Sequence, residues 1–559
     1  MDELVRGALA WIADDPDPET ARQAQALVDG GDRDALAACF VGRLAFGTAG
    51  IRAPIGPGPA RINRATIRRI TAGLAVAVTD GAGPVVVGFD GRRGSATFAE
   101  DAARVLTGAG IPVVRFRAVC PTPVLAYAVR ALGGRAGVMV TASHNPPQDN
   151  GYKVYGPDGA QIVAPIDAAI TRAMDALGPT ASLPLGPDGA EPHPDLVRRY
   201  VEAVIGLRVH APHRRVRIAY TPLHGVGADT LLAVLAAAGY ADVHVVPEQA
   251  EPDGAFPTVA FPNPEERGAL DRVEALAARI GADLVLANDP DADRIAVSVP
   301  TGSSYRRLTG NETGTLLAED LLANGLSGPR RVATTVVSSS LLSRIAAGHG
   351  ADYVETLTGF KWIARVAGRT DARFVLGYEE ALGVCPGDVV RDKDGISSAL
   401  LVADLASHLA DQERTLVDAI DDLHRRYGVH AGGQVVLASP VAETVVRMRT
   451  LRAAPPTALG AAAVTRVVDY LAAPVDGLPT TDLLAYHLDV GDRVLVRPSG
   501  TEPKLKAYVE VVEPIGIGTG TGTGDGAAGL DDARGRAQAR LGELLGAVRT
   551  LLQRAGDAG

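Results

Sequence analysis

Three times along the chain, a short run of strand-forming apolar residues stops at a loop crowded with polar groups, and this recurrence restricts the available folds more than any other feature. PVVVGFDG (84–91), IPVVRF (111–116) and AGVMVTAS (136–143) read as one set of strands. RVRIAYTPLHG (215–225), ADVHVV (241–246) and ADLVLAND (282–289) form a second set, and RRVATTVV (330–337), ADYVET (351–356) and RFVLGYEE (373–380) a third. Near-continuous Val and Ile separated by helix-period segments, such as the helix starting near Ser95, is the pattern of strands covered on both faces in mostly parallel sheets. The expected fold is α/β, with three similar mixed α/β domains followed by a C-terminal α+β domain.

The predicted domains are 1–205, with a helical extension and a serine loop; 206–312, with an aspartate loop; 313–435, with a glutamate loop; and 436–559. The last begins where QVVLASPVAETV, VTRVVDYL, DRVLVRPSG and KLKAYVEVV alternate strands with helical stretches. Its Gly/Thr-rich segment 514–532 predicts a loop that buries little, ahead of a final helix over 533–554.

At 559 residues, with 47% hydrophobic and 21% charged, the chain can bury several cores and has the balance of a folded protein. A formal net charge of -10 and the lack of a Lys/Arg block argue against nucleic acid as the main partner. Cys39, Cys120 and Cys385 are scattered without CxxC spacing, so neither a disulfide framework nor a thiolate metal site is expected. The acidic start MDELVRGALAWIADDPDPET lacks the basic and apolar regions of a signal peptide, and no uncharged apolar stretch is long enough to span a membrane. A cytoplasmic enzyme without a membrane partner, monomeric or homodimeric, is the expectation.

Four loops carry chemistry. TASHNPPQDNGYK (141–153) follows a strand, places Ser143 beside His144 and Asn145, and is stiffened by Pro146 and Pro147. NDPDADR (288–294) alternates Asp289, Asp291 and Asp293, which in an extended loop would point one way. Three such carboxylates need a cation, and an all-oxygen set suits Mg²⁺ better than Zn²⁺. LGYEEALG (376–383) offers Glu379 and Glu380 as acceptors for sugar hydroxyls, while TLTGFKW (356–362) and RDKDG (391–395) add Lys361, Arg391 and Lys393 for phosphate or proton transfer. RPSGTEPKLK (497–506) gathers Arg497, Ser499, Gly500, Thr501 and Lys504, a phosphate cradle that does not match the Walker pattern. Each loop alone also fits an ordinary polar turn; four in one chain are hard to explain that way.

FGTAGIR (46–52), TASHNPP, DPDADR, GYEEALG and RPSGTEPK, in this order, resemble the motifs of the α-D-phosphohexomutase superfamily over essentially the whole chain. The N-terminal extension, TLTGFKWI and DKDG resemble its phosphoglucomutase and phosphopentomutase branch. The resemblance implies a phosphoserine at Ser143, which joins Asp289, Asp291 and Asp293 around one Mg²⁺. It implies substrate contacts from Arg294, Thr358, Gly359, Lys361, Glu379 and Glu380, and a hold on the non-reacting phosphate by Arg497, Ser499, Gly500, Thr501 and Lys504. Proton transfer is left open among Arg52, His144, Lys153 and Lys393. The implied reaction interconverts a sugar 1-phosphate and 6-phosphate, of glucose or mannose, through a bound bisphosphate, with a sugar 1,6-bisphosphate as activator. A phosphopentomutase, a glucose-1,6-bisphosphate synthase and a non-catalytic phosphosugar-binding protein are the alternatives. Ala381 stands where a glucose-type GEESxG turn has serine.

Overall fold

A computed structural model describes residues 2–47, 49–79, 81–210, 216–369, 371–475, 477–499, 504–515 and 525–557. In the first sheet Val85–Phe89 lies parallel to Val113–Arg115 on one side and Ala136–Val140 on the other; Asp149–Tyr155 then returns antiparallel, with Ile51–Pro54 beyond it. The second sheet repeats the plan with Ile218–Thr221 between Val243–Val245 and Leu284–Asn288, followed by antiparallel Ile295–Thr301 and Ser304–Arg307. The third does so with Arg330–Thr335 between Asp352–Thr356 and Arg373–Glu379, closed by antiparallel Gly383–Pro386.

The turn from the last parallel strand to the antiparallel strand that follows therefore leaves each sheet at the same place, the carboxyl end of a parallel strand, where open α/β sheets carry their ligands. Ser143, the aspartates and the glutamates sit in those turns. Val85–Phe89, Ala136–Val140 and Leu284–Asn288 are buried at every residue, which accounts for their unbroken apolar sequence. Val113–Arg115 and Val243–Val245 are shorter than the predicted 111–116 and 241–246; each is the last strand of its sheet, with Val114 bridged on its outer side to Ala190.

Three of the expected domain joints fall beside or within elements of secondary structure. Helix Asp195–Ile205, expected with the first unit, buries Tyr200 and Val204 in a core shared with Leu231 and Val234 of the second. The expected 312/313 joint cuts helix Gly310–Asn324, which starts at a Thr309–Glu312 capping box. The expected 435/436 joint cuts strand Val429–Ala438, which pairs along its length with Lys504–Glu513. That strand opens the last sheet, six strands in all. The final helix runs Asp525–Asp557 rather than 533–554, because its apolar stripe already begins at buried Leu530 and continues through Ala533, Ala537, Leu541 and Leu544.

One continuous core runs through the first three units, joining Val86 and Met139 to Ile218 and Leu286 and then to Val332 and Ile396. The last unit has its own core, and meets the third through a small apolar contact of Val336, Val337 and Leu357 with Leu495 and Tyr508. Among the described residues no helix is long and apolar enough to cross a membrane.

Helix Gly310–Asn324 lies so close to strand Arg373–Glu379 that a Cβ at Gly314 would fall 2.3 Å from the buried ring of Tyr378. Gly314→Ala is expected to destabilise by about 1–3 kcal/mol. Gly535→Ala, on an exposed helical position with nothing within 4 Å, is expected to stabilise slightly. Thermal unfolding of the two variants checks the contrast; equal melting temperatures would mean that the ring can step aside.

Candidate active site

The serine turn is held in a conformation that the chain would not adopt unaided. Ser143 has φ 53°, a left-handed conformation that strains an L-residue by about 1–2 kcal/mol. Its N–H donates to Thr141 Oγ1 at 2.8 Å, and Thr141 in turn donates to buried Asp90 at 2.6 Å. Buried Arg92, 3.4 Å from Asp90, donates to the carbonyls of Ser143 at 2.6 Å, Pro146 at 2.8 Å and Asp149 at 3.1 Å, so one guanidinium braces both ends of the loop. Arg52, on strand Ile51–Pro54, donates to Asn145 Oδ1 at 3.0 Å. The Ser143 hydroxyl is thereby aimed at Asp289 Oδ2, to which it donates at 2.8 Å, with His144 Nδ1 3.2 Å away.

The aspartate segment is a turn rather than the extended loop predicted: Ala292 has φ 58°, and Arg294 N–H donates back to Asp289 Oδ1 at 3.0 Å. The carboxylates converge nevertheless, with one oxygen from each of Asp289, Asp291 and Asp293 within 4.8 Å of the others. Lys153 Nζ, from the first sheet, donates to Asp291 at 2.6 Å and to Asp293 at 2.9 Å; Lys393 Nζ lies 3.2 Å from Asp293. Thr122 Oγ1 donates to Asp291 at 2.6 Å.

Two ammonium groups thus face three fully buried carboxylates. Burial and the charge of Asp291 and Asp293 push the Asp289 pKa well up, while Lys153 and Lys393 outweigh burial and hold Asp293 far below the ordinary carboxylate range. Asp291 Oδ1 and Asp293 Oδ1 are buried and accept no hydrogen bond. Orphaned oxygens on two members of a buried three-carboxylate set fit a divalent cation with all-oxygen ligands.

Glu379 and Glu380 are half-buried, and Glu379 lies within electrostatic reach of Lys393, Arg294 and Asp293. Burial pushes the Glu379 pKa up against the pull of Lys393 and Arg294. Glu380 Oε2 accepts from Thr335 Oγ1 at 3.2 Å and Ser338 Oγ at 3.1 Å. Arg294 donates to the Ala381 carbonyl at 2.7 Å and lies 3.5 Å from Glu265. Thr358 and Gly359 form the turn into helix Phe360–Ala367. Lys361 departs from the rest: it lines a small recess with Phe46, Gly47 and Asp167, and burial lowers its pKa. Arg391 is tied to Asp388 at 2.7 Å.

Arg497 stands opposite Lys506 on paired strands, and Ser499 N–H donates to the Lys504 carbonyl at 2.8 Å. Gly500 and Thr501 lie outside the described residues. A cavity of about 800 Å³ where the second, third and last units meet is lined by Glu265, Glu380, Lys506 and Tyr508, but not by Ser143 or the aspartates. The chemistry is therefore located by the side-chain cluster, not by the cavity. Arg92, Thr122 and Ser338 escaped the sequence reading. Only Arg92 left a trace, the GRRG turn directly after FD in GFDGRRG (88–94).

Lys153→Met should leave two buried carboxylates without their shared cation, at a cost of about 3–5 kcal/mol. A divalent cation should then raise the melting temperature of this variant more than that of the parent protein. Calorimetric melting with and without Mg²⁺ checks this, and equal increments would show that the cation binds elsewhere.

Family models for phosphoglucomutase/phosphomannomutase alpha/beta/alpha domains I, II and III match residues 43–180, 198–302 and 309–427, and the model for the C-terminal domain matches residues 444–514. The "Probable phosphomannomutase" of Haemophilus influenzae is 40% identical over 459 residues, covering 80% of this chain and 93% of that protein. The phosphopentomutase of Mus musculus is 34% identical, covering 90% of each chain. The crystal structure of a phosphoglucomutase/phosphomannomutase family protein from Burkholderia thailandensis superposes with a TM-score of 0.65 over 88% of this chain and 96% of that one; at 22% identity it speaks for the fold alone. Four domains in family order around one serine–aspartate cluster make this chain a member of the phosphoglucomutase/phosphomannomutase family, a phosphosugar mutase and intramolecular phosphotransferase with a divalent-metal site.

Proposed function

We propose that the protein interconverts a hexose 1-phosphate and its 6-phosphate, glucose before mannose, through a phosphoserine at Ser143 and a bound sugar 1,6-bisphosphate. The observation that carries this reading is the 2.8 Å approach of the Ser143 hydroxyl to Asp289, at the edge of a carboxylate set with two orphaned oxygens. Asp289, Asp291, Asp293 and Ser143 would hold Mg²⁺, which when bound supplies charge neutralisation on the phosphoryl oxygens.

In the first half-reaction the free sugar hydroxyl attacks the phosphorus on Ser143; the new O–P bond forms as the bond to Ser143 Oγ breaks. The proton of the attacking hydroxyl passes to Ser143 Oγ as that oxygen leaves; in the second half-reaction Ser143 Oγ gives its proton up as it attacks the other phosphate of the turned bisphosphate, and the departing sugar oxygen receives it. His144 Nδ1, 3.2 Å from Ser143 Oγ, is the group placed to relay this proton, accepting it from the attacking oxygen and passing it to the leaving one. Burial, with Arg294 and Arg52 nearby, holds the His144 pKa well below its ordinary value, so the ring is neutral before it accepts. Lys153 is unsuited to this role, because Asp291 and Asp293 outweigh burial and keep it protonated; it stabilises charge instead. Lys393 is held protonated in the same way by Asp293 and Asp392.

Glu379 and Glu380 read the sugar hydroxyls, with Arg294 beside them. Arg497, Ser499 and Lys504 hold the phosphate that is not reacting, together with Gly500 and Thr501. A pentose substrate is the second reading. It is favoured by Ala381, which takes no hydroxyl to the sugar, and by the likeness to a phosphopentomutase over 90% of both chains.

Ser143→Ala is expected to fold and to lose at least about 10³-fold in turnover. The parent protein incubated with glucose 1,6-bisphosphate should gain the mass of one phosphoryl group on the peptide carrying Ser143. Coupled assays with Mg²⁺ and trace bisphosphate then compare glucose, mannose and ribose 1-phosphates. A tenfold preference in kcat/KM, about 1.4 kcal/mol, identifies the substrate. Net bisphosphate formation from a glycolytic phosphoryl donor, without mutase turnover, would replace this reading by a synthase. Binding without either reaction would leave a phosphosugar-binding protein.

A further inference from the structure

The last domain meets the third across a polar joint that leads to one of the sugar-reading glutamates. Arg493 opens strand Arg493–Pro498, whose far end carries Arg497 and leads to Ser499. Its Nε donates to Glu510 Oε2 at 2.7 Å, directly across the strand pair. From there the guanidinium leaves its own domain and donates to the carbonyls of Ser338 and of Val336, the latter at 3.3 Å. Glu510 completes the joint by accepting from Ser339 Oγ at 2.6 Å and from Ser340 N–H at 2.8 Å. Four hydrogen bonds thus tie one cross-strand pair to the segment 336–340.

The same segment holds Glu380. Ser338 Oγ donates to Glu380 Oε2 at 3.1 Å and accepts the Glu380 backbone N–H at 3.1 Å, so one hydroxyl fixes both the carboxylate and the main chain of that residue. The Glu380 main chain approaches helix Gly310–Asn324 closely: a Cβ at Gly310 would fall 2.2 Å from the Glu380 carbonyl oxygen.

We infer that Arg493 is a positioning residue: by docking the last domain onto Val336 and Ser338 it sets the Glu380 carboxylate, and through it the affinity for the sugar. The inference rests on the proposed role of Glu380 in sugar binding. A residue that merely glued two domains together would change stability and leave Glu380 alone. A positioning residue changes the order of the Glu380 turn and KM while kcat holds.

The test uses the full chain, with Arg493→Met, Arg493→Lys, Ser338→Ala and the Arg493→Met/Ser338→Ala double variant. Arg493→Gln/Glu510→Gln, which removes both charges of the cross-strand pair together, serves as a second variant should Arg493→Met not fold. Hydrogen exchange read on 376–383 should show the Glu380 amide exchanging about tenfold faster in Arg493→Met and Ser338→Ala, and close to the parent in Arg493→Lys. KM for the best of the three sugar 1-phosphates should rise about tenfold in both single variants, kcat should stay within about threefold, and the double variant should be no worse than either. Unchanged Glu380 exchange in a folded Arg493 variant, or single effects on KM that multiply in the double, would overturn the inference. Failure of the parent protein to turn over any sugar phosphate would instead sink the proposed function, and the exchange result would still decide whether Arg493 orders Glu380.

Discussion

Lys153 and Lys393 come from different sheets to the same aspartate turn, and the arrangement of the first three domains depends on that meeting. Lys153 belongs to strand Asp149–Tyr155 of the first sheet, the aspartates follow strand Leu284–Asn288 of the second, and Lys393 follows strand Gly383–Pro386 of the third. All five side chains are buried. Charges removed from water are tolerable only when each finds its counter-charge in good geometry. No one of these sheets can therefore shift alone without stranding a buried charge. The continuous apolar core beneath the cluster supplies the cohesion, and the cluster fixes the register of the three sheets around it.

That requirement explains why equivalent turns carry unlike chemistry. Each sheet presents the turn after its last parallel strand to the same centre, so one topology delivers a hydroxyl, a carboxylate set and a pair of glutamates to neighbouring points. The approach is close enough to exclude side chains where backbones meet. A Cβ at Gly395 would fall 2.2 Å from the Arg294 carbonyl oxygen, and Arg294 itself forms a bridge to Gly383 of the third sheet. Strain at Ser143 belongs to the same design. A left-handed serine persists because Arg92 and Thr141 over-determine its loop, and the reward is a hydroxyl placed against Asp289 before any substrate arrives.

Much of this was legible in the sequence, for reasons that also explain the gaps. Strands buried on both faces announce themselves as runs of Val, Ile and Ala, and the loops after them stand out because polar residues interrupt those runs abruptly. The aspartate triad was found for a partly wrong reason: alternation implied an extended loop, whereas left-handed Ala292 folds a turn that gathers the carboxylates anyway. Lys361 lies in a recess with Phe46, Gly47 and Asp167, a placement that proximity in sequence to the other loops does not reveal. Arg92, Thr122 and Ser338 act through contacts with residues 51, 169 and 42 positions away, which no local pattern encodes. The expected joints 312/313 and 435/436 fall inside a helix and a strand, because a cap and a strand pairing, rather than composition, decide where those elements begin.

The contrast between the two kinds of domain contact follows from what the proposed reaction needs. Its first three domains share a core and a buried charge cluster, and so form a rigid half that holds the serine and the metal ligands. The last domain keeps a core of its own and touches the third through a small apolar patch and a few hydrogen bonds. An apolar seam as large as that between the other domains would make separation costly in proportion to the area exposed. Hydrogen bonds can be exchanged for water at little net cost, so a polar joint can be made and broken while each domain stays folded. A mutase that must exclude water from a phosphoserine and yet let a bisphosphate turn end for end requires that combination: fixed chemistry on one side, and a phosphate-holding domain on the other that can be released and returned to the same place.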